Sequence, residues 1–374
     1  MRVGIRTTLA LLLVLALVPL TAHAWDRRNV ETFATLPAGE RHPEGITVDK
    51  RGNIFVTTFD IARAGTAGEV GHLFVYRNDG RLLRKVLVQN SSPLLLDLAF
   101  SPADPQGRDL LVIDFGGAKV LKVDPVTGAS EVFATIPDDP GIPGAPGPNV
   151  LTFDNAGNVY ISDSFQGVIW RTGPAGGVAG PGGKDAVLWV TSALLRTAGV
   201  PGFGANGLAF NNTQTLLFVA NTGNDTIVKI PVTPAATGPV AGTPAVFVNS
   251  VNGADGLIID EHDNLWVAAN QADEIVVINP SGRAIAKLGD FDGIDRAGRP
   301  KGLLFPASLV RHRDFIYVTN LAIDLRAFDA PGAPTNGTVD SQWAAEVTIH
   351  TISRIRARIP RIDGLPKADM DDDD

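Results

Sequence analysis

Short apolar runs punctuated by Asp, Asn and Gly recur along the chain in one arrangement: a polar residue, an apolar run, an Asp-x-x-Gly-Asn-like turn, then a second apolar run. The copies are residues 44–49 with 52–56, 97–100 with 110–113, 149–154 with 157–161, 206–210 with 216–219, 255–260 with 264–267, and a weaker sixth at 306–310 with 315–318. Their first positions lie 49 to 57 residues apart, which fits a propeller blade of four strands better than any helical repeat. The remainder of each period supplies two more strands. Residues 72–76 and 82–88 flank the hairpin signal Asn78-Asp79-Gly80, and 120–123 with 131–136 and 274–278 with 284–288 repeat the scheme. No later segment holds an amphipathic helical period over several turns. The pattern predicts an all-β chain, a six-bladed β-propeller with four-stranded blades over residues 25–360.

Closing six repeats into a ring removes exposed sheet edges. Residues 30–36 resemble 132–136 and read as a fourth strand for the last blade, a place that 344–355 could also claim. Arg354, Arg356, Arg358 and Arg361 alternate with apolar residues, which suggests an edge strand guarded by charge.

The two ends depart from the repeat. Arg2 and Arg6 precede an apolar run over 9–20 and then Ala22-His23-Ala24, the form of a signal peptide cleaved after residue 24. Export to the periplasm or the outside is expected, with no membrane span in the mature chain. Asp369 and Asp371 to Asp374 end an acidic, disordered tail over 361–374. Of the 374 residues none is Cys, which excludes disulfides, thiolate metal sites and thiol nucleophiles. The formal charge of −8 argues against a nucleic-acid surface.

In a propeller the innermost strands line the central axis, so equivalent positions form a ring. Glu44, Asp97, Asn149, Asn206 and Asp255 hold one such place, just ahead of the first apolar run. A single Asp or Asn there is ordinarily a turn former, but Glu is not. Carboxylates and amides without His or Cys make a hard-oxygen cage suited to calcium, or another divalent cation, rather than zinc or copper.

At these residues the chain resembles the regucalcin/gluconolactonase family, with related diisopropylfluorophosphatase and paraoxonase-like calcium propellers. The resemblance is carried by His42-Pro43-Glu44-Gly45, Gly147-Pro148-Asn149, Ala205-Asn206-Gly207-Leu208-Ala209-Phe210 and Ala254-Asp255-Gly256-Leu257. It implies that Glu44, Asn149, Asn206 and Asp255 hold a catalytic calcium and that Asp255 also serves as base or nucleophile. Asn149 is followed by Val150 rather than Asp. Gly147 stands where the sugar-lactonases have an Arg, a departure that points away from a sugar lactone. Asp97 and His42 are candidates for touching substrate, His42 because it lies two residues from Glu44 on the same strand.

Two function classes follow. One is an exported, monomeric, calcium-dependent hydrolase of a lactone or related ester, its partner a small-molecule substrate. The other is a non-catalytic propeller that binds a partner; a lyase or synthase of the same architecture is a third reading. Ser91, Ser162, Ser164 and Ser308 lack the nucleophile elbow of a serine hydrolase. Substrate choice is expected in the loops 61–71, 138–148 and 192–204.

Overall fold

The computed structural model describes residues 27–360 apart from 105, 236–237, 330–331 and 333–334; the expected leader over 1–24 and acidic tail over 361–374 lie outside the described residues. Six antiparallel sheets, each built on four strands, form a six-bladed β-propeller. Blade 1 runs from inside to outside as Pro43–Val48, Ile54–Thr58, Gly71–Tyr76 and Leu82–Val88. The innermost strands of blades 2 to 6 are Leu95–Phe100, Pro148–Phe153, Ala205–Phe210, Ala254–Ile259 and Pro306–His312. Each packs beside the next, and that of blade 6 packs against that of blade 1, closing the ring. Strands such as Ile54–Thr58, Leu110–Asp114 and Leu265–Ala269 are buried at every residue because blades stack on both of their faces. The core therefore sits between blades. Phe55, Leu73 and Val86 of blade 1, for example, pack with Leu98, Val112 and Leu121 of blade 2.

The recurrent turn has a physical cause. Asp154 accepts the backbone N–H groups of Ala156 and Asn158 on Oδ1, and the Asn158 amide at 2.7 Å and the Tyr160 hydroxyl at 3.1 Å on Oδ2. Asp49 with Asn53 and Asp260 with Asn264 repeat it. Its fourth residue is left-handed, a conformation free of strain for Gly52 and Gly157 and adopted by Asp263 in blade 5.

Every innermost strand opens with a β-bulge: register shifts between Pro43 and Ile46, Leu95 and Leu98, Pro148 and Leu151, Ala205 and Leu208, Ala254 and Leu257, and Pro306 and Leu309. A bulge re-aims the side chain it carries, and here it sets the ring. The equivalent residues are Glu44, Leu96, Asn149, Asn206, Asp255 and Ala307. Asp97 is therefore not a ring residue, as its sequence pattern suggested, but lies one position further on, level with Gly45, Gly207 and Gly256. At those three glycines a Cβ would meet the neighbouring blade's backbone, 2.4 Å from the Leu96 carbonyl oxygen, 2.2 Å from that of Asp255 and 2.6 Å from that of Ala307.

Both segments that competed for the last blade belong to it. Thr351–Arg356 is its third strand and Val30–Thr35 its outermost, paired from Val30 with Ile355 to Thr35 with Thr351. The arginine-bearing strand is thus interior rather than an edge; Arg354 binds Glu31 across the pair at 2.9 Å and, with Arg356, lies over the Phe315 ring. Between Phe315–Asn320 and Thr351–Arg356 the chain makes an excursion that carries the helix Val339–Ala344, too short to leave a period in the sequence. At its start the Ser341 hydroxyl accepts the Thr338 backbone N–H at 3.1 Å.

Hydroxyls on the second strands latch blade to blade. Thr319 accepts the Ser308 N–H at 3.0 Å and donates to the Glu44 carbonyl at 2.6 Å, tying blade 6 to blade 1, and Thr57 does the same between Gly45 and the Leu96 carbonyl. Thr319→Val keeps the shape but strands buried polar groups, at a cost of roughly 1–3 kcal/mol. Thermal unfolding should show a melting temperature several degrees lower; an unchanged one would show that the latch is not part of ring closure.

Candidate metal centre

Glu44, Asn149, Asn206 and Asp255 come from four blades, each 3 to 5% exposed, and line one cavity of about 40 Å³. The orientation of their oxygens follows from proton counting. Ser164 donates its single hydroxyl proton to the Ala205 carbonyl at 2.7 Å, so toward Asn149, 3.0 Å away, it can act solely as acceptor. The Asn149 amide must therefore give its NH2 to Ser164 and turn Oδ1 away. Thr222 repeats this, donating to the Ala254 carbonyl at 2.8 Å and accepting from Asn206 at 3.0 Å. On Asp255 the Asn270 amide donates to Oδ2 at 3.0 Å.

What remains is a set of buried oxygens without a hydrogen-bond partner: Glu44 Oε2, Asn149 Oδ1, Asn206 Oδ1, Asp255 Oδ1 and Asn270 Oδ1. Buried acceptors are ordinarily paired, and an unpaired one costs about 1–3 kcal/mol. Oxygen donors of two carboxylates and two or three amides fit a hard divalent cation. Electrostatics point the same way. Burial, with the nearby Asp255 and Asp97 charges, pushes the Glu44 carboxyl well above the usual range, and burial pushes Asp255 up to about 7 against the opposing bonds from Asn270 and Asn206.

The other expected site residues lie elsewhere. Asp97 borders a separate recess of about 410 Å³ at the opposite mouth of the channel, where the innermost strands end; its Oδ2 accepts the Leu151 N–H at 3.0 Å, and burial pushes it up to about 7. His42 is not among the residues lining the cavity. Its Nδ1 lies 3.0 Å from the Leu321 carbonyl, its ring meets His350 edge-on, and burial lowers its pKa. Of the three loops expected to choose substrate, 192–204 reaches the cavity, through Pro201 and Phe203. The excursion after blade 6's second strand, through Leu321, Ile323, Leu325 and Phe328, was not anticipated as a wall. Nor were Ser164, Thr222 and Asn270, although each follows its ring residue by 15 or 16 positions, a spacing visible in the sequence.

Among the described residues, Asp260, Glu261 and His262 form a further group close enough to share a metal. Asp260 accepts four N–H groups there, from His262, Asn264 twice and Trp266, which uses all its lone-pair positions in the turn.

Comparison with known proteins bears on this geometry. The family model "SMP-30/Gluconolactonase/LRE-like region" matches residues 166–289, a stretch holding Asn206 and Asp255. Lactonase drp35 of Staphylococcus haemolyticus (strain JCSC1435) is 27% identical over 174 residues, 46% of this chain and 47% of that protein. Lactonase drp35 of Staphylococcus epidermidis (strain ATCC 12228 / FDA PCI 1200) is 27% identical over 140 residues, 37% and 40% of the two chains. The chain thus spans less than half the length of these relatives. Among solved structures, a luciferin-regenerating enzyme has a TM-score of 0.57 at 16% identity, covering 88% of this chain and 95% of its own. A calcium-binding regucalcin from Agrobacterium tumefaciens has 0.55 at 15%, covering 89% and 99%. These likenesses are of fold.

The raised carboxyls set a sign for stability. The folded protein holds protons on Asp255 that the unfolded chain releases near pH 4, so without a cation stability is lost as pH rises from about 4 to about 7. Asp273 and Asp340, pushed up by burial to about 8 and about 6, add a loss of the same sign that a channel cation does not relieve. Melting in chelator should therefore occur at lower temperature at pH 8 than at pH 5. A divalent cation should raise it more at pH 8, above the value of about 7 for Asp255; a rise equal or larger at pH 5 would contradict the site.

Proposed function

We propose that this chain is a calcium-dependent hydrolase of a lactone or related ester, a reading supported by the family match over residues 166–289, the lactonase relatives and the propeller fold. The observation that carries the reading is the set of unpaired buried oxygens from Glu44, Asn149, Asn206 and Asp255 around one small cavity. Those four residues would hold the ion; the ion would polarise an ester carbonyl and stabilise charge developing on its oxygen.

The chain's own residues supply the rest. Asp255 has one oxygen fixed by Asn270 and the other free toward the cavity, so it is oriented to take a proton from water or to attack the acyl carbon directly. Glu44 has no such amide partner and serves as the second negative charge. Leu96, Phe305, Leu321, Ile323 and Leu325 exclude water around them.

Asp255→Asn removes the base and half the ligand charge, so turnover of a lactone panel should fall at least about a hundredfold. Asn206→Asp keeps the base and adds charge, so calcium should bind at least as tightly and turnover should fall less. Normal turnover and full calcium content in Asp255→Asn would overturn the assignment. The small cavity also suits an ion that merely plugs a binding module; metal content without turnover on any ester, chelated or not, would favour that reading.

We read the protein as exported, on the strength of the charged and apolar leader ahead of residue 25. Of the described residues, no helix is long and apolar enough to cross a membrane. N-terminal sequencing of the protein from its native host should start at Trp25; a chain that retains residues 1–24 would count against export by this route.

A further inference from the structure

Above the oxygen ring five phenylalanines form a closed circuit. Phe59 meets Phe115 at 5.6 Å between ring centroids, Phe115 meets Phe165 at 5.4 Å, Phe165 meets Phe203 at 5.4 Å, Phe203 meets Phe328 at 6.2 Å, and Phe328 returns to Phe59 at 6.4 Å. Their place follows from chain direction. Phe59, Phe115 and Phe165 leave the ends of the second strands Ile54–Thr58, Leu110–Asp114 and Val159–Asp163, which is where the antiparallel innermost strands begin and the ring residues sit. Phe203 immediately precedes the innermost strand of blade 4, and Phe328 hangs from the excursion of blade 6.

Gly147 makes room for this circuit. Its φ is ordinary, but a Cβ there would lie 2.8 Å from the Phe165 ring. Phe165 and Phe328 are 41% and 37% exposed, an apolar surface turned to solvent at the mouth of the cavity that holds the oxygen ring. Phe59, Phe203 and Phe328 line the same small cavity as the oxygen ring, so the organic part of a substrate whose carbonyl reaches the ring lies against the collar. Glu44 and Asp255 are the charged residues among those lining it, and no Arg or Lys is present there to pair with a polar substituent.

We propose that the phenylalanine collar selects esters and lactones bearing an aryl or alkyl substituent and turns away polyhydroxylated ones, an inference that rests on the hydrolase reading above. Each hydroxyl placed against the rings loses its water without gaining a partner, which weakens binding by roughly tenfold or more, while an aryl group gains apolar burial and edge contacts.

The test compares γ-phenyl-γ-butyrolactone with a glucono-lactone on the calcium-loaded protein. Wild type should favour the phenyl lactone in kcat/KM by about a hundredfold or more, the sum of the two effects. Phe203→Asn and Phe328→Asn, at partly exposed positions that should tolerate the change, should each cut the phenyl lactone's kcat/KM at least about tenfold and leave the glucono-lactone's no lower; Phe203→Leu should keep most of the preference. Equal or better turnover of the glucono-lactone, or an aryl preference that survives both Asn variants in folded protein, would overturn the proposal. Should no ester be hydrolysed, the hydrolase reading fails by itself. The collar is then judged by calorimetric binding to the calcium-loaded protein: 4-hydroxy-4-phenylbutyrate tighter than gluconate supports it, and gluconate equal or tighter refutes it.

Discussion

A serine or threonine hydroxyl has one proton to give, and in this propeller that proton is committed to a neighbouring blade. Because Ser164 donates to the Ala205 carbonyl and Thr222 to the Ala254 carbonyl, the amides of Asn149 and Asn206 have no choice of orientation. Ring closure and ligand presentation thus share the same atoms. The bulge at the head of every innermost strand brings the side chains to the axis, the hydroxyls behind them settle which atom faces inward, and burial then leaves those oxygens without water. Unpaired oxygens of this kind are a standing cost to the empty fold, and a cation converts that cost into affinity.

The repeat made most of the fold legible, since apolar runs and Asp-bounded turns at blade spacing leave few other architectures. The register at the axis was harder to see. Asp97 looked equivalent to Glu44 because both are acidic and precede apolar runs, yet aligning Leu98-Ala99-Phe100 with Leu208-Ala209-Phe210 pairs Asp97 with Gly207 and Leu96 with Asn206, which is the register the bulges enforce. Polarity misled where packing decides. The arginines of Thr351–Arg356 misled in the same way, since partners from Val30–Thr35 and the Phe315 ring make a charged strand acceptable inside a blade.

Other features could not be read from one sequence because they join distant residues. Ser164, Thr222 and Asn270 matter through carbonyls and carboxylates in their own or the next blade. The five phenylalanines are scattered from Phe59 to Phe328 and become a collar when the ring closes. The result is a site of two chemistries, a floor of hard oxygens and a rim of aromatic carbon, and each has its counterpart in the sequence: the Glu-Gly, Asn-Gly and Asp-Gly pairs below, and Gly147 in place of a larger side chain above.

The central claim is that the unpaired oxygens at the axis are a cation site, and anomalous diffraction from crystals soaked in a lanthanide that substitutes for calcium tests it most directly. A single strong peak should lie on the propeller axis, about 2.3–2.6 Å from Glu44 Oε2, Asn149 Oδ1, Asn206 Oδ1 and Asp255 Oδ1. An axis without a peak, or a peak at the Asp260-Glu261-His262 turn instead, would contradict it.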